Sequence, residues 1–413
     1  MSGIYNFGIN CYWQLIRLAA LKNTKARKLK EGQKTIFDYL DKTIVHGEKY
    51  VWFHASSLGE FEQGRPLIEA LKRQRPEQKI IVTFFSPSGY EVRKNYDCAD
   101  AVCYLPFDKP NLVKRFLDKI NPSAAIFIKY EFWANYLKEL HIRRIPTYIV
   151  SAIFRENQLF FKPFGKNYRK LLTYFDRLYV QDENSKSLLS SIGIDKVTVC
   201  GDTRFDRVLD IAGQSKILPL VEQFIQNGKQ VLVAGSSWPK DENIFIDYFN
   251  RHPELKLIIA PHVINEEHLK EIELKLNRPH VRYTKASPEL VSQADCLIID
   301  CFGLLSSIYK YGQIAYIGGG FGVGIHNVPE AAVYGIPVIF GPNYRKFKEA
   351  HDLIACKGAF SITNAKEFET ITDKLLSDTD FLRLTGEYSR KYIYGNSGAS
   401  DVILKDIFGI KRN

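Results

Sequence analysis

The sequence predicts an α/β protein built from two doubly wound parallel sheets. Short apolar runs rich in β-branched residues alternate with longer segments of helical periodicity, which is the pattern of repeated β-α-β units. The alternation pauses near residues 203–228 and then starts again. With 413 residues, 45% of them hydrophobic, the chain can form two cores of ordinary size. We therefore expect two Rossmann-like domains, residues 31–212 and 213–413, with ligands in a cleft between them beyond the carboxyl ends of the strands.

The predicted strands are short and lie between segments with helical spacing, such as Glu60–Gln74 and Asn111–Ile120. In the first domain they are Tyr50–His54, Lys79–Phe85, Ala101–Leu105, Ser123–Ile128 and Pro146–Val150. In the second domain they are Gln230–Ala234, Lys256–Ala260, Cys296–Ile299, Ile314–Ile317 and Pro337–Phe340.

Charge and cysteine content indicate the surroundings in which the chain works. The formal net charge of +11 favours an acidic partner, which could be nucleic acid, anionic lipid or a phosphorylated substrate. The seven cysteines are odd in number and scattered, without the spacing of a metal or redox motif, which indicates a reducing compartment.

Residues 1–30 are predicted to form an amphipathic membrane-association segment. Apolar and aromatic side chains recur at helical spacing from Tyr5 to Ala20, but polar residues interrupt them, so the run falls short of the roughly 20 apolar residues of a spanning helix. The basic side chains follow the apolar run, which argues against a cleaved signal peptide and suits an anionic membrane surface better than nucleic acid. They are Arg17, Lys22, Lys25, Arg27, Lys28 and Lys30. A first helix that simply docks on its domain is the alternative.

The segment Gln313–Pro342 predicts a nucleotide-binding β-loop-α-β unit. Its first apolar run leads into a loop with glycine at positions 318, 319, 320, 322 and 324, which allows tight turns and close approach of a ligand. A helix is expected to begin near Val328, where unpaired N–H groups favour a phosphate. Glu330 could accept hydrogen bonds from ribose hydroxyls. A glycine-rich loop that is only a turn is the competing interpretation.

Candidate catalytic residues follow the strands of the first domain. The first strand leads into HASSLGE, which places Glu60 at the start of a helix, where it could act as a base or simply complement the helix dipole. The fourth strand leads into KYEFW, which places a second carboxylate, Glu131, at the same edge of the sheet. The segment GDTRFD carries Arg204, which could meet charge that develops on a leaving phosphate.

These segments closely resemble the 3-deoxy-D-manno-octulosonic acid (Kdo) transferases, which are inverting glycosyltransferases of the GT-B architecture. The resemblance spans nearly the whole chain and includes TFFSPSGYE at 83–91, YLPFD at 104–108, AGSSWPKDE at 234–242 and GIHNVPEA at 324–331. It implies that Glu60 is the general base and that Glu131 and Arg204 stabilise the transition state. It also implies CMP-Kdo as donor, lipid IVA as acceptor, a role in lipopolysaccharide synthesis, and a place on the cytoplasmic face of the inner membrane.

The same resemblance implies the nucleotide contacts, in three loops of the second domain. They are Pro261 and His262; Phe302, Gly303 and Leu304; and Asn327, Val328, Pro329 and Glu330. The chain departs from the family at two of these positions, because arginine is usual at 262 and glutamate at 304. No metal cofactor is expected, since CMP leaves with a single phosphate that N–H groups and basic side chains can neutralise.

Other functions stay open at this stage. Another GT-B glycosyltransferase with a different nucleotide sugar is the nearest alternative. An NAD-dependent oxidoreductase is a poorer fit, because its glycine fingerprint should open the first β-α-β unit, where HASSLGE stands here. A binder of nucleic acid or membrane without catalytic activity would explain the charge but not the carboxylates and arginine at the strand ends.

Overall fold

The computed structural model describes residues 2–411, which form two compact units. Unit 1 contains the described residues up to Arg207 together with those from Ser397 onward, and unit 2 contains Val208–Asn396. Each unit is built on one seven-stranded parallel sheet. The predicted fold class, α/β with two doubly wound sheets, is confirmed. The predicted domains placed the last helix with the second sheet, whereas the structure places it in unit 1.

The sheet of unit 1 has the strand order β3-β2-β1-β4-β5-β6-β7. Its strands are β1 Tyr50–Ala55, β2 Lys79–Phe84, β3 Ala101–Tyr104, β4 Pro122–Ile128, β5 Thr147–Ala152, β6 Arg177–Val180 and β7 Val197–Val199. The order changes direction between β1 and β4. Ligands of doubly wound sheets bind beyond the strand ends at such a switch point.

The sheet of unit 2 has the order β10-β11-β9-β8-β12-β13-β14, and its direction changes between β8 and β12. Its strands are β8 Gln230–Ser237, β9 Leu255–Pro261, β10 His280–Arg282, β11 Cys296–Ile298, β12 Ile314–Ile317, β13 Val338–Phe340 and β14 Ala359–Ser361. The predicted strand Ile314–Ile317 is therefore reproduced residue for residue.

Helices connect the strands in both units. Those of unit 1 are α1 Ser2–Ala19, α2 Thr24–Thr43, α3 Leu58–Gln74, α4 Pro87–Arg93, α5 Pro110–Ile120, α6 Ala134–Ile142, α7 Lys166–Leu172, α8 Glu183–Ser190 and α19 Ala399–Phe408. Helix α9, Thr203–Gly213, spans the division. Those of unit 2 are α10 Pro219–Ile225, α11 Pro239–Arg251, α12 Glu266–Lys275, α13 Pro288–Gln293, α14 Leu305–Ile308, α15 Pro329–Ala332, α16 Lys348–Ala355, α17 Ala365–Ser377 and α18 Thr379–Gly395.

The central strands are buried on both faces. All residues of β1 and all residues of β12 are buried, which explains why these strands appear in the sequence as continuous apolar runs without alternation. Trp52 on β1 is completely buried and packs edge-on against Phe116 and Phe127. The two central strands thus give rigid bases for the loops that follow them.

The first helix has two apolar sides. Ile9 and Ile16 are buried against unit 1, and the Tyr5 hydroxyl donates a hydrogen bond of 2.6 Å to Oδ2 of the buried Asp108. Another stripe of the same helix is exposed and consists of Ile4, Phe7, Leu15 and Leu18. No helix within residues 2–411 combines the length and apolar character needed to cross a membrane. The predicted membrane contact of residues 1–30 stays a prediction.

The last helix is fixed to unit 1 by an aspartate of the GDTRFD segment. Both carboxylate oxygens of the buried Asp206 accept hydrogen bonds of 2.6 Å, one from the N–H of Gly398 and one from the N–H of Ser400. These donors lie at the start of α19, where N–H groups lack partners within the helix. The segment therefore has a structural role besides any role of Arg204.

Candidate active site

Glu60 lies in the first turn of α3, directly beyond β1 at the switch point of unit 1. Its Oε2 accepts hydrogen bonds from the Ser57 backbone N–H (2.9 Å) and the Ser57 hydroxyl (3.2 Å), which completes a capping box. The cap uses one carboxylate oxygen. Within residues 2–411, Oε1 accepts no hydrogen bond. Glu60 thus has the structural role that the sequence left open, and it still has an oxygen for an incoming proton.

Burial raises the pKa of Glu60 above its ordinary value, and the charge of Glu131 raises it further. The hydrogen bonds from Ser57 and the charge of Lys129 act in the opposite direction. A general base works best when its pKa is close to the working pH, so an upward shift suits a carboxylate with this role.

Glu131 follows β4, the strand on the other side of the switch point, and its side chain is held by two aromatic residues. Its Oε2 lies 2.6 Å from the indole Nε1 of Trp133, which donates, and 3.1 Å from Nε2 of His54. The imidazole of His54 is completely buried, and its Nδ1 lies 3.1 Å from the carbonyl oxygen of Thr83. His54 and Trp133 therefore fix the orientation of Glu131. The sequence did not indicate these two contacts.

The backbone directly after β4 has an unusual conformation. Lys129, directly after β4, has φ of 73°, a left-handed conformation that side chains other than glycine rarely adopt. Such conformations persist where the surrounding structure enforces them, and they are common at functional sites. The residues that flank Tyr130, Lys129 and Glu131, both affect the pKa of Glu60 through their charges.

Tyr130 lies among several charged groups of unit 1. Burial raises its pKa, a nearby guanidinium lowers it, and three carboxylates raise it. The guanidinium belongs to Arg155, and the carboxylates belong to Glu60, Asp182 and Asp202. Arg155, three residues after the end of β5, is therefore near this edge of the sheet.

Arg204 is oriented by an aspartate of its own segment. Its Nε donates to Oδ2 of Asp202 (2.8 Å), and its backbone N–H donates to Oδ1 of the same residue (2.9 Å). Asp202 is nearly buried, while the Arg204 side chain is 47% exposed. Asp202, which holds Arg204, also affects the pKa of Tyr130, as Glu60 does.

In unit 2, the glycine loop after β12 lies in close backbone contact with two other segments, at Ser236 and at Gly341. A Cβ atom at Gly318 would lie 2.2 Å from the carbonyl oxygen of Ser236, and one at Gly320 would lie 2.5 Å from the nitrogen of Gly341. Neither could be accommodated without moving the main chain. Part of the glycine content is thus explained by packing against the end of β8 and the loop after β13. The sequence alone could not separate this role from ligand binding.

Glu330 lies in α15, which is a single turn where the sequence predicted a helix. Its Oε1 accepts a hydrogen bond of 2.6 Å from the side-chain amide of Asn327. Val328 and Pro329 between them are buried. The four predicted residues form one compact turn, but with so short a helix the dipole contributes less than the prediction assumed.

Phe302, Gly303 and Leu304 lie between β11 and α14. Phe302 is highly exposed, Gly303 has φ of 85°, and Leu304 is the residue before the first turn of α14. The hydroxyl of Tyr334, which follows α15, donates to the carbonyl oxygen of Ser306 (2.7 Å), so this loop adjoins the turn of Glu330.

Pro261 ends β9, and His262 after it belongs to a stack of three rings. The His262 ring lies 4.8 Å from the indole of Trp238 and 4.4 Å from the imidazole of His326, with small angles between the planes. Nε1 of Trp238 donates to Nε2 of His326 (3.3 Å). The loops after β8, β9 and β12 therefore meet at this stack. The sequence predicted His262 but neither partner ring, because no local pattern indicates that three separate loops converge.

Comparison with known proteins shows the family. Residues 22–207 match the model of the 3-deoxy-D-manno-octulosonic-acid transferase (kdotransferase) family. The chain is 31% identical, over 79% of its length and 86% of the relative, to the 3-deoxy-D-manno-octulosonic acid transferase of Aquifex aeolicus. It belongs to this family. The corresponding transferase of Rickettsia prowazekii is 27% identical over 86% of this chain and 78% of the relative.

The family membership confirms the predicted class of enzyme, a glycosyltransferase of the Kdo transferase family. Among solved structures, the UDP-GlcNAc 2-epimerase of Neisseria meningitidis has a TM-score of 0.59 at 18% identity and covers 88% of this chain and 100% of its own, which shows a shared fold. The roles of the individual site residues stay predictions. Within residues 2–411, no group of three or more His, Cys, Asp or Glu side chains could hold a metal ion.

Proposed function

We propose that this Kdo transferase moves Kdo from CMP-Kdo to lipid IVA with inversion, in lipopolysaccharide core synthesis. The observation that supports this most strongly is the pair of carboxylates beyond β1 and β4, one of them with a raised pKa and an oxygen left over by its cap. Transfer to a sugar hydroxyl requires a group that removes the hydroxyl proton, and Glu60 fits that requirement.

In the proposed reaction, Glu60 takes the proton of an acceptor hydroxyl as its oxygen attacks the anomeric carbon of Kdo. Attack occurs on the face opposite to CMP, so the configuration inverts. The bond from that carbon to the phosphate oxygen breaks, and its electron pair leaves with CMP. Glu131 and the guanidinium of Arg204 are proposed to stabilise the charge that is redistributed in the transition state.

The donor is proposed to bind at the carboxyl edge of the sheet of unit 2. Asn327 and Glu330 offer polar groups for the ribose, and the loops at Pro261–His262 and Phe302–Leu304 adjoin them. CMP departs with one phosphate, which a few N–H groups and a basic side chain can neutralise, so we propose that transfer needs no metal cofactor.

Transfer can be tested with purified protein, CMP-Kdo and lipid IVA, with the product identified by mass spectrometry. We expect a product one Kdo heavier or more, formed equally in the presence of a chelator. Transfer from a UDP-sugar in place of CMP-Kdo would contradict the donor, and loss of activity with chelator that is restored by a divalent ion would contradict metal independence.

The acceptor is a membrane lipid, and we propose that α1 holds the enzyme on the anionic cytoplasmic face of the inner membrane. Its stripe of Ile4, Phe7, Leu15 and Leu18 is exposed, while other residues of the helix dock on unit 1. The basic side chains from Arg17 to Lys30 would meet lipid headgroups. A membrane partner explains an exposed apolar stripe, and nucleic acid does not.

The membrane proposal predicts that Phe7→Ser, Leu15→Ser and Leu18→Ser together release the protein from anionic vesicles. These side chains are 71%, 62% and 65% exposed, so their replacement should leave the fold intact. Leu274→Ser, at an 83% exposed leucine of unit 2, is the matched control and should leave binding unchanged. Co-sedimentation with vesicles measures the effect, and undiminished binding of the triple variant would show that α1 is only a docking helix.

A further inference from the structure

The buried side of α1 contacts the start of α6, directly after the KYEFW segment. The Tyr5 hydroxyl accepts a hydrogen bond of 3.3 Å from the backbone N–H of Ala134, the first residue of α6. One residue further along, the side-chain amide of Asn135 donates to Oδ1 of Asn6 at 2.8 Å. The first N–H groups of a helix have no acceptor within it. α1 therefore supplies an acceptor to the helix that begins where KYEFW ends.

Asp108, the last residue of the YLPFD segment, joins the same two helices. Its Oδ2 accepts hydrogen bonds from the Tyr5 hydroxyl (2.6 Å) and from the N–H of Asn135 (3.1 Å). Its Oδ1 accepts one from the N–H of Tyr136 (3.1 Å). The carboxylate is completely buried, and a buried charge is costly unless donors surround it. The Tyr5 hydroxyl is one of the donors that compensate this burial.

A series of ring contacts also leads from α1 to Glu131. Trp13 packs against Phe107 with ring centroids 4.4 Å apart, and Phe107 contacts Phe85 at 5.6 Å. Phe85 in turn contacts Trp133 at 4.8 Å. The indole of Trp133 donates the hydrogen bond of 2.6 Å to Oε2 of Glu131. Close-packed interiors transmit small displacements to their neighbours, so the position of α1 influences the position of Trp133.

α1 carries these contacts and its exposed stripe on different faces. Tyr5, Ile9, Trp13 and Ile16 are spaced three or four residues apart, which places them on one face of the helix. The stripe that was proposed to contact the membrane falls outside this face. Substitutions can therefore change the contact with α6 without changing the stripe.

We propose that Tyr5 is a positioning residue for Glu131, because it fixes the start of α6 and thereby Trp133, whose indole orients the carboxylate. This inference rests on the proposed function, in which Glu131 stabilises the transition state. A misplacement of about 1 Å can lower the rate of an enzyme about a hundredfold, so a side chain that acts only through Trp133 can change turnover. α1 then has two roles, one toward the membrane and one toward the reaction.

Tyr5→Phe tests the proposal, because it removes only the hydroxyl. With lipid IVA dispersed in a neutral detergent, which takes the anionic surface away, kcat should fall about tenfold. The KM for CMP-Kdo should stay unchanged, since the donor is proposed to bind in unit 2. Co-sedimentation with anionic vesicles should also stay unchanged, because the exposed stripe is intact. A loss confined to KM would contradict a role in positioning Glu131.

A double-mutant cycle with Trp133→Phe identifies the route by which Tyr5 acts. Trp133→Phe removes the indole N–H that holds Glu131 and should itself lower kcat. If Tyr5 acts through this hydrogen bond, adding Tyr5→Phe to Trp133→Phe should cause no further loss of kcat. Two independent structural defects would instead give losses that add in free energy.

Tyr39→Phe is the matched control. Its hydroxyl, on α2, likewise accepts a hydrogen bond from a backbone N–H, that of Val102 at 3.1 Å. This variant should keep the wild-type kcat, and circular dichroism should show the same fold for all variants. Unchanged kcat in Tyr5→Phe, an equal loss in Tyr39→Phe, or additive losses with Trp133→Phe would overturn the role of Tyr5 and leave the proposed function intact. Absence of Kdo transfer by the wild type would overturn the proposed function, and this inference with it.

Discussion

In unit 1, the loops at the switch point present ionisable side chains, whereas in unit 2 the corresponding loops present backbone and rings. Glu60 and Glu131 follow the two strands on either side of the first switch point. Trp238 and the glycine loop follow the two strands on either side of the second. Two sheets of the same class thus present different groups at their switch points: carboxylates in unit 1, and backbone and aromatic rings in unit 2.

Each unit has a buried histidine-glutamate pair near the carboxyl edge of its sheet. The two pairs differ in whether the glutamate also acts on another side chain of the predicted site. In unit 1, His54 lies 3.1 Å from Glu131, whose carboxylate is close enough to Glu60 to raise its pKa. In unit 2, His268 pairs with Glu242, which is completely buried and also accepts a hydrogen bond of 2.9 Å from Ser237. The first pair holds a predicted site residue, whereas the second joins α11 to α12 and, through Nδ1 of His268, contacts the carbonyl oxygen of Val263 in the loop after β9.

The largest effect is expected from replacing Glu60, the proposed general base in unit 1. Glu60→Gln should reduce turnover by about 10² to 10⁴, because an amide cannot accept the acceptor proton. Glutamine is also accepted at this position of a capping box, so α3 and the fold should be preserved. Steady-state transfer rates, together with circular dichroism, measure the effect.

Glu62→Gln is the matched control for Glu60→Gln. Glu62 lies on the same helix but pairs with Arg65 and Arg93. This variant should retain near wild-type turnover. A Glu60→Gln enzyme that keeps more than about a tenth of wild-type activity with a normal fold would place the base elsewhere.

A smaller effect is expected when the ribose contact assigned to unit 2 is removed. Hydrogen bonds to a charged group contribute about 1.5 to 3 kcal/mol, so Glu330→Ala should raise the dissociation constant for CMP about ten- to a hundredfold. Calorimetric titration measures this constant, and Glu60→Gln should leave it unchanged. If Glu330→Ala binds CMP as the wild type does, the turn of Asn327 and Glu330 has only a structural role.

The sequence predicted most strands, including β11 and β13 with three residues each, but it missed β6, β7, β10 and β14. β12 was predicted residue for residue, and β1, β2, β4 and β5 within two residues at each end, because buried parallel strands are continuous apolar runs. β7, with three residues, and β14 gave no such signal. The place of α19 in unit 1 depends on Asp206, whose hydrogen bonds join residues almost two hundred positions apart.

For the candidate site, the sequence indicated individual residues but not the contacts that orient them. Motif resemblance predicted roles for Glu60, Glu131 and Arg204, and these roles stay predictions. It did not reveal that His54 and Trp133 hold Glu131, or that Trp238 and His326 stack with His262. Such contacts depend on the packing of loops from separate strands, which no local spacing encodes.

The smallest effect is expected from removing the charge of Glu131, which tests how strongly this carboxylate influences the pKa of Glu60. Glu131→Gln keeps the shape of the side chain and removes the negative charge that raises the pKa of Glu60. Since Glu60 works in its ionised form, activity is lost as pH falls through its pKa, and a lower pKa extends activity into acid. The acid limb of kcat/KM should therefore move to lower pH, whatever happens to the maximal rate. Added salt should reduce the shift by screening. A limb that stays in place would mean that the charge of Glu131 does not raise the pKa of the base.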